Sequence, residues 1–91
     1  MKNYEIIPIA EGKIVRRNIP RSWLAETLAG PEQVVDGYGG RKVAQKRYQV
    51  EGRQYLLRVV FEDKGESLLV ITAYLTSQID RYWEEKNENR V

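Results

Sequence analysis

Glu51-Gly52 falls between two runs, 42–50 and 54–62, in which apolar and polar residues largely alternate. The pair suits a two-residue hairpin loop, and a loop of that length fixes the register of the strands it joins. Gln45 then opposes Arg58, Arg47 opposes Leu56 and Gln49 opposes Gln54, all on one face. The other face collects Ala44, Tyr48, Val50, Tyr55, Leu57, Val59 and Phe61, a set suited to a core. The hairpin also carries the charge. Residues 41–58 hold six of the fifteen basic residues and one acid, a net of +5 in a chain of net +2. A rigid hairpin with a basic face is a candidate phosphate-binding surface.

The period differs on either side of the hairpin. Residues 10–17 are expected to form a short helix with Ile14 inward, interrupted at Asn18-Ile19-Pro20 because proline disfavours helical geometry in the residue before it. Pro20 suits the first turn of a second helix, 20–29, in which Leu24 and Leu28 share a face beside Trp23 and Ala25. Gly30-Pro31 closes that helix, with glycine expected in a left-handed cap. Residues 33–35 read as a short strand and 36–40 as a glycine-rich turn. Asp63-Lys64-Gly65 reads as a three-residue loop leading into a fourth strand, 67–75. That loop sets Val70 against Arg58, Thr72 against Leu56 and Tyr74 against Gln54, and sends Leu69, Ile71, Ala73 and Leu75 to the core. Residues 77–86 place Ile79, Tyr82 and Trp83 at helical spacing, a final helix that docks on the sheet before a charged tail. The expected fold is one α+β domain over residues 1–91, with N-terminal helices packed on a four-stranded antiparallel sheet and a short C-terminal helix.

Composition narrows the chemistry. With 42% apolar and 31% charged residues the chain is of globular type. It contains no cysteine and no histidine, so disulfides, thiolate nucleophiles, Cys/His zinc sites and Ser-His-Asp catalysis are excluded together. No metal and no cofactor is expected. The apolar run 6–10 is broken by Pro8 and too short for a signal segment or membrane span, so a cytoplasmic protein without membrane contact is expected.

One sheet surface presents Gln45, Arg47, Gln49, Gln54, Arg58, Thr72 and Tyr74. RNA cleavage through the 2′-hydroxyl needs a proton acceptor, cations for the phosphorane and an acid for the leaving oxygen. Arg47 and Arg58 suit bidentate phosphate binding. Tyr74 or Lys46 suits proton transfer, with Thr72 orienting the substrate; Arg41, Lys42 and Gln45 extend the surface as RNA contacts. Lys46 fits poorly, because the register points it to the core side; either it snorkels past an edge or a bulge turns it outward. A face of Arg, Gln and Thr is equally what an antiparallel sheet open to water presents. Tyr48, Tyr55, Trp23 and Trp83 read as core and docking residues rather than base-stacking platforms, and Glu84, Glu85 and Glu88 as a solvated face.

Several stretches resemble domain-of-unknown-function family 4258: 13–19, 28–34, Gly40-Arg41-Lys42-Val43-Ala44-Gln45-Lys46-Arg47-Tyr48, 55–60, and 70–79 followed by Arg81-Tyr82-Trp83. That family is similar to the RelE, barnase and colicin D ribonucleases. The resemblance implies helices on a four-stranded antiparallel sheet and a toxin neutralised by a small antitoxin protein. It further implies RNA cleavage, on free or ribosome-bound RNA, by Lys46, Arg47, Arg58, Thr72 and Tyr74. Many members carry His-Ala before the first helix where this chain has Ile9-Ala10. The departure implies either proton transfer by the Lys, Arg and Tyr set or a non-catalytic module that binds RNA or protein.

Overall fold

The computed structural model describes residues 3–85. Five strands form one sheet in the order β1-β5-β4-β3-β2. They are β1 (Asn3–Ile6), β2 (Gln33–Asp36), β3 (Lys42–Val50), β4 (Arg53–Asp63) and β5 (Ser67–Thr76). Helices α1 (Pro8–Arg16) and α2 (Arg21–Ala29) cover one face, and the single-turn α3 (Ile79–Tyr82) follows β5. The α+β class is as expected. The four-stranded antiparallel sheet is not: β1 adds a fifth strand, parallel to β5, with Tyr4 beside Leu68 and Ile6 beside Val70. Tyr4 and Ile6 alternate inward in only four residues, and their partner lies some sixty residues away. Such a short segment declares itself only once its neighbour is in place.

Chain geometry accounts for the helices. Pro8 begins α1, where its missing N–H leaves no bond unmade, and Ile7 still donates to the Val70 carbonyl at 3.2 Å. Ala10 and Ile14, four apart, are its buried residues. Asn18 stops α1 in the left-handed region (φ 55°), which asparagine tolerates better than most residues. The chain then turns Ile19 inward, its N–H reaching back to the Ile14 carbonyl at 3.1 Å. Pro20 is the residue before α2 rather than its first. Leu24 and Thr27 are the buried residues of α2, with Trp23 and Leu28 packed beside them. Gly30 ends α2 at φ −143°, so the left-handed cap expected there does not form.

Between β3 and β4 the register is the expected one, including Gln45 opposite Arg58 and Arg47 opposite Leu56. Glu51 (φ 50°) and Gly52 (φ 80°) both occupy the left-handed region that such a tight turn requires. The β4–β5 pairing differs. Asp63 pairs with Leu68, so the loop includes Glu66 and closes through Lys64 N–H to the Ser67 carbonyl at 2.8 Å. A β-bulge then falls where Val60 pairs with Thr72 but Phe61 pairs with Val70, leaving Ile71 unopposed. The bulge reverses the alternation. Val70 is fully buried among the core residues instead of facing Arg58, and Leu68 packs with it. Leu69 pairs with Glu62 on the opposite face rather than entering the core. Beyond the bulge Thr72 and Tyr74 regain the expected face, but Tyr74 now lies directly beside Arg58.

The core lies between α1, α2 and the sheet: Ile14, Ile19, Leu24, Ala44, Leu57, Val59, Phe61, Val70 and Ala73. Each large aliphatic side chain fully buried there contributes roughly 1.5–3 kcal/mol. Tyr48 completes it, stacked on Trp23 (ring centroids 4.3 Å apart) with its hydroxyl donating to the Trp23 carbonyl at 3.1 Å. The opposite face is not open. Residues 78–85 cross it as a strap, of which only Ile79–Tyr82 is helical. The remainder of the expected final helix does not form up to Glu85, and Lys86, Glu88 and the expected tail lie outside the described residues. No helix among the described residues is long and apolar enough to cross a membrane.

Candidate functional site

Register places four side chains in one row across four strands. Gln33 (β2) pairs with Gln45 (β3), Gln45 with Arg58 (β4), and Arg58 with Tyr74 (β5). The strap lies along this row, with Tyr82 over Arg58 and Glu84 at Gln33. Gln45, fully buried, is the hub. Its Nε2 donates to Gln33 Oε1 at 3.0 Å and to the Tyr82 carbonyl at 3.3 Å, and its Oε1 accepts from Arg58 Nε at 2.6 Å. Leaving these groups unpaired would cost about 1–3 kcal/mol each, and no buried side-chain polar atom among the described residues lacks a partner.

Arg58 is the centre of the site. Its Nη1 donates to the Tyr74 hydroxyl, and its guanidinium lies 4.1 Å from the Tyr82 ring centroid. Among the described residues it has no carboxylate partner. A half-buried guanidinium satisfied only by neutral groups retains its charge for an anion. A tyrosine hydroxyl that accepts from it is left free to direct its own proton elsewhere.

The other expected site residues disperse. Arg47, one step along the face, is held by Glu32 through paired contacts at 3.1 Å, and its guanidinium lies 4.3 Å from the Trp83 ring centroid. The hydrogen bond from Arg47 holds the Glu32 carboxyl below its ordinary range, and the same bond raises Arg47. Thr72 lies near Arg17, whose Nη1 donates to the Ala73 carbonyl at 2.8 Å beyond the end of β1. Lys46 lies on the helix face, with no bulge in β3 to turn it outward, and its Nζ is 5.9 Å from the Tyr48 ring centroid. The sheet therefore separates Lys46 from Arg58 and Tyr74. Lys42 falls on that side too, paired with Asp36 at 2.6 Å, and this bond lowers the Asp36 carboxyl. Arg41 stays on the strap face, its Nε 2.9 Å from Glu62, whose carboxyl is lowered first by Lys64 and then by Arg41. Ile9, where the family resemblance places histidine, is exposed on α1 across the sheet from Arg58.

Tyr82 and Glu32 belong to the site but were not expected there. Both act by tertiary docking, and adjacent aromatics at 82 and 83 were the available signal for the first. Clefts flank the strap: one of about 560 Å³ includes Arg47, Gln54, Arg81 and Trp83, the other of about 500 Å³ includes Arg41, Arg58 and Tyr82. No group of three or more acidic residues among the described ones is arranged to hold a metal ion. In comparisons with known proteins, no family model, no curated protein and no solved structure matches the chain.

Proposed function

We propose that the chain is a toxin-like endoribonuclease that cleaves RNA through the RNA's own 2′-hydroxyl, without a metal ion, and is held in check by a small antitoxin protein. The observation that carries this reading is Arg58: a half-buried guanidinium with no carboxylate partner among the described residues, hydrogen-bonded to the Tyr74 hydroxyl and bordering a cleft. In this role Arg58 binds the scissile phosphate and stabilises the charge that grows on it. As the 2′-oxygen bonds to phosphorus it gives up its proton to solvent water, and the bond from phosphorus to the 5′-oxygen breaks. Tyr74 delivers its proton to that leaving oxygen and is re-protonated from solvent. Gln45 fixes the guanidinium plane from behind.

A second reading is a non-catalytic RNA-binding module, and one observation favours it. Lys46, one of the two groups expected for proton transfer, is on the wrong face, and Arg47 is neutralised by Glu32. Expression of the chain, followed by growth and RNA integrity, separates the two. The enzyme reading expects growth arrest and RNA fragments ending in 2′,3′-cyclic phosphate, both lost in Arg58→Ala and strongly reduced in Tyr74→Phe. Co-expression of the adjacent open reading frame is expected to restore growth. RNA binding without fragments would establish the module instead, and an equally active Arg58→Ala would remove the site.

A further inference from the structure

Tyr38 is 95% exposed, the most exposed large hydrophobic side chain among the described residues. It contributes nothing to the core, yet its backbone is fixed. Gly37 N–H donates to the Arg41 carbonyl at 2.7 Å, and Arg41 N–H returns to the Tyr38 carbonyl at 3.4 Å. Gly39 (φ 70°) and Gly40 (φ 82°) take the left-handed conformations that close so tight a loop. Gly37 packs close to β3, where a Cβ would come within 3.0 Å of Val43 Cγ2. An aromatic ring held in solvent by a closed loop is a contact surface without its contact.

The cleft of about 500 Å³ beside it supplies the rest. Tyr38 and Tyr82 stand among its walls, Val43 and Val60 give it apolar lining, and Arg41 and Arg58 line it. Two guanidinium groups line it against one carboxylate, Asp36, which is itself paired with Lys42 at 2.6 Å. Glu62 is shared between Arg41 at 2.9 Å and Lys64 at 2.8 Å, so one carboxylate serves two cations, while Arg58 has none among the described residues. Arg41 engages Glu62 through Nε, and its side chain remains 40% exposed. Aromatic and apolar surface beside two guanidinium groups matches a flat heterocycle joined to a phosphate.

We infer that this cleft is a subsite for one unpaired nucleotide of a single-stranded nucleic acid, with the base on Tyr38 and the flanking phosphates on Arg41 and Arg58. The inference rests on the RNA reading above and specifies it: the strand enters beside the 36–41 loop, and a base-paired duplex cannot offer a base face to Tyr38. Stacking makes the subsite tolerant of base identity, since every base has a π-face.

The test is fluorescence anisotropy with a labelled 2′-deoxy single strand of mixed sequence, which binds without offering a 2′-hydroxyl for cleavage. Tyr38→Ala is expected to weaken binding about ten-fold, within the range found for loss of one stacked base. Tyr38→Phe is expected to retain it. Arg41→Ala is expected to reduce the salt dependence by about one phosphate contact, whereas Tyr38→Ala leaves that slope unchanged. A matched duplex is expected to bind more weakly than the single strand and to be indifferent to Tyr38→Ala. Equal affinity of wild type and Tyr38→Ala for the single strand, with Arg58→Ala defective, would overturn the subsite while the RNA reading stands. No binding of either probe by the wild type would overturn both.

Discussion

The two faces of the sheet are held together by different physics. On the helix face, Leu57, Val59, Val70 and Ala73 are fully buried among aliphatic neighbours, and the polar contacts there, such as Tyr48 with Thr27 and the Trp23 carbonyl or Lys42 with Asp36, are part-buried or exposed. On the strap face the row Gln33–Gln45–Arg58–Tyr74 is joined by hydrogen bonds, and aromatic rings lie over guanidinium groups. Burying apolar surface is non-directional, so the helix face tolerates substitutions that preserve volume. Hydrogen bonds and cation–π contacts depend on placement, so the strap face holds particular groups at particular distances at a smaller net gain. The helix face carries the larger apolar cluster, while the strap face buries Val35, Val43 and Leu56 beside its polar row. The chain's two tryptophans fall one on each face, Trp23 on Tyr48 and Trp83 over Arg47, giving each side its own reporter.

The largest effect should come from the helix face. Leu57→Ala is expected to cost about 2–5 kcal/mol, read as a lower urea midpoint. That is a large part of the roughly 5–15 kcal/mol typical of folded domains. A loss below about 1 kcal/mol would show that the two faces share stability more evenly than their packing implies. The strap face comes next. Gln45→Ala removes the hub of the row and is expected to cost about 1–3 kcal/mol. Emission from Trp83, followed in a Trp23→Phe background, should shift well before global unfolding, while Trp23, followed in a Trp83→Phe background, stays native. Simultaneous loss of both signals would break the separation.

The smallest effect is a dependence on acid. In the folded chain, Arg47 holds the Glu32 carboxyl below its ordinary value of 4.5. Its contribution is therefore complete above that value and is lost as pH falls through the lower, folded-state one. Because the pair is exposed, the amount should be well below 1 kcal/mol and shrink in high salt. Urea midpoints of Glu32→Gln measured between neutral pH and about pH 3 should lack the part of the acid slope that the wild type shows. An identical slope in both proteins would show that the ion pair does not hold the strap face.

Legibility followed the range of each interaction. The 51–52 turn dictated its own register, so the pairing of Gln45 with Arg58 could be read from a few adjacent residues. So could the interruption at Asn18, where a helix end and a proline coincide. The β4–β5 register was not legible, because the loop closes through Ser67 rather than at Gly65 and the bulge at Ile71 lies inside an apolar run that carries no turn signal. Their effects on facing cancel beyond the bulge, so Thr72 and Tyr74 were assigned to the right side with the wrong partners. The same gap concealed the core position of Val70. The basic face was legible as composition but not as chemistry: Glu32, Glu62 and Asp36 each engage a cation, which leaves Arg58 as its centre.

The bulge at Ile71 also governs which length changes β5 can absorb. Before it the strand buries even-numbered residues (Leu68, Val70), and after it odd-numbered ones (Ala73, Leu75). It is a half-period phase shift in one continuous strand. Removing Ile71 itself would restore an unbroken wave with both halves in phase, Val70 inward and Tyr74 outward, whereas removing one residue elsewhere in the strand would turn one part of it over. Away from the bulge, adding or removing two residues would preserve the phase and only slide the pairing. Alterations of length elsewhere in β5 are therefore expected to survive in pairs, and loss of the unopposed isoleucine is the single-residue change that the strand can absorb.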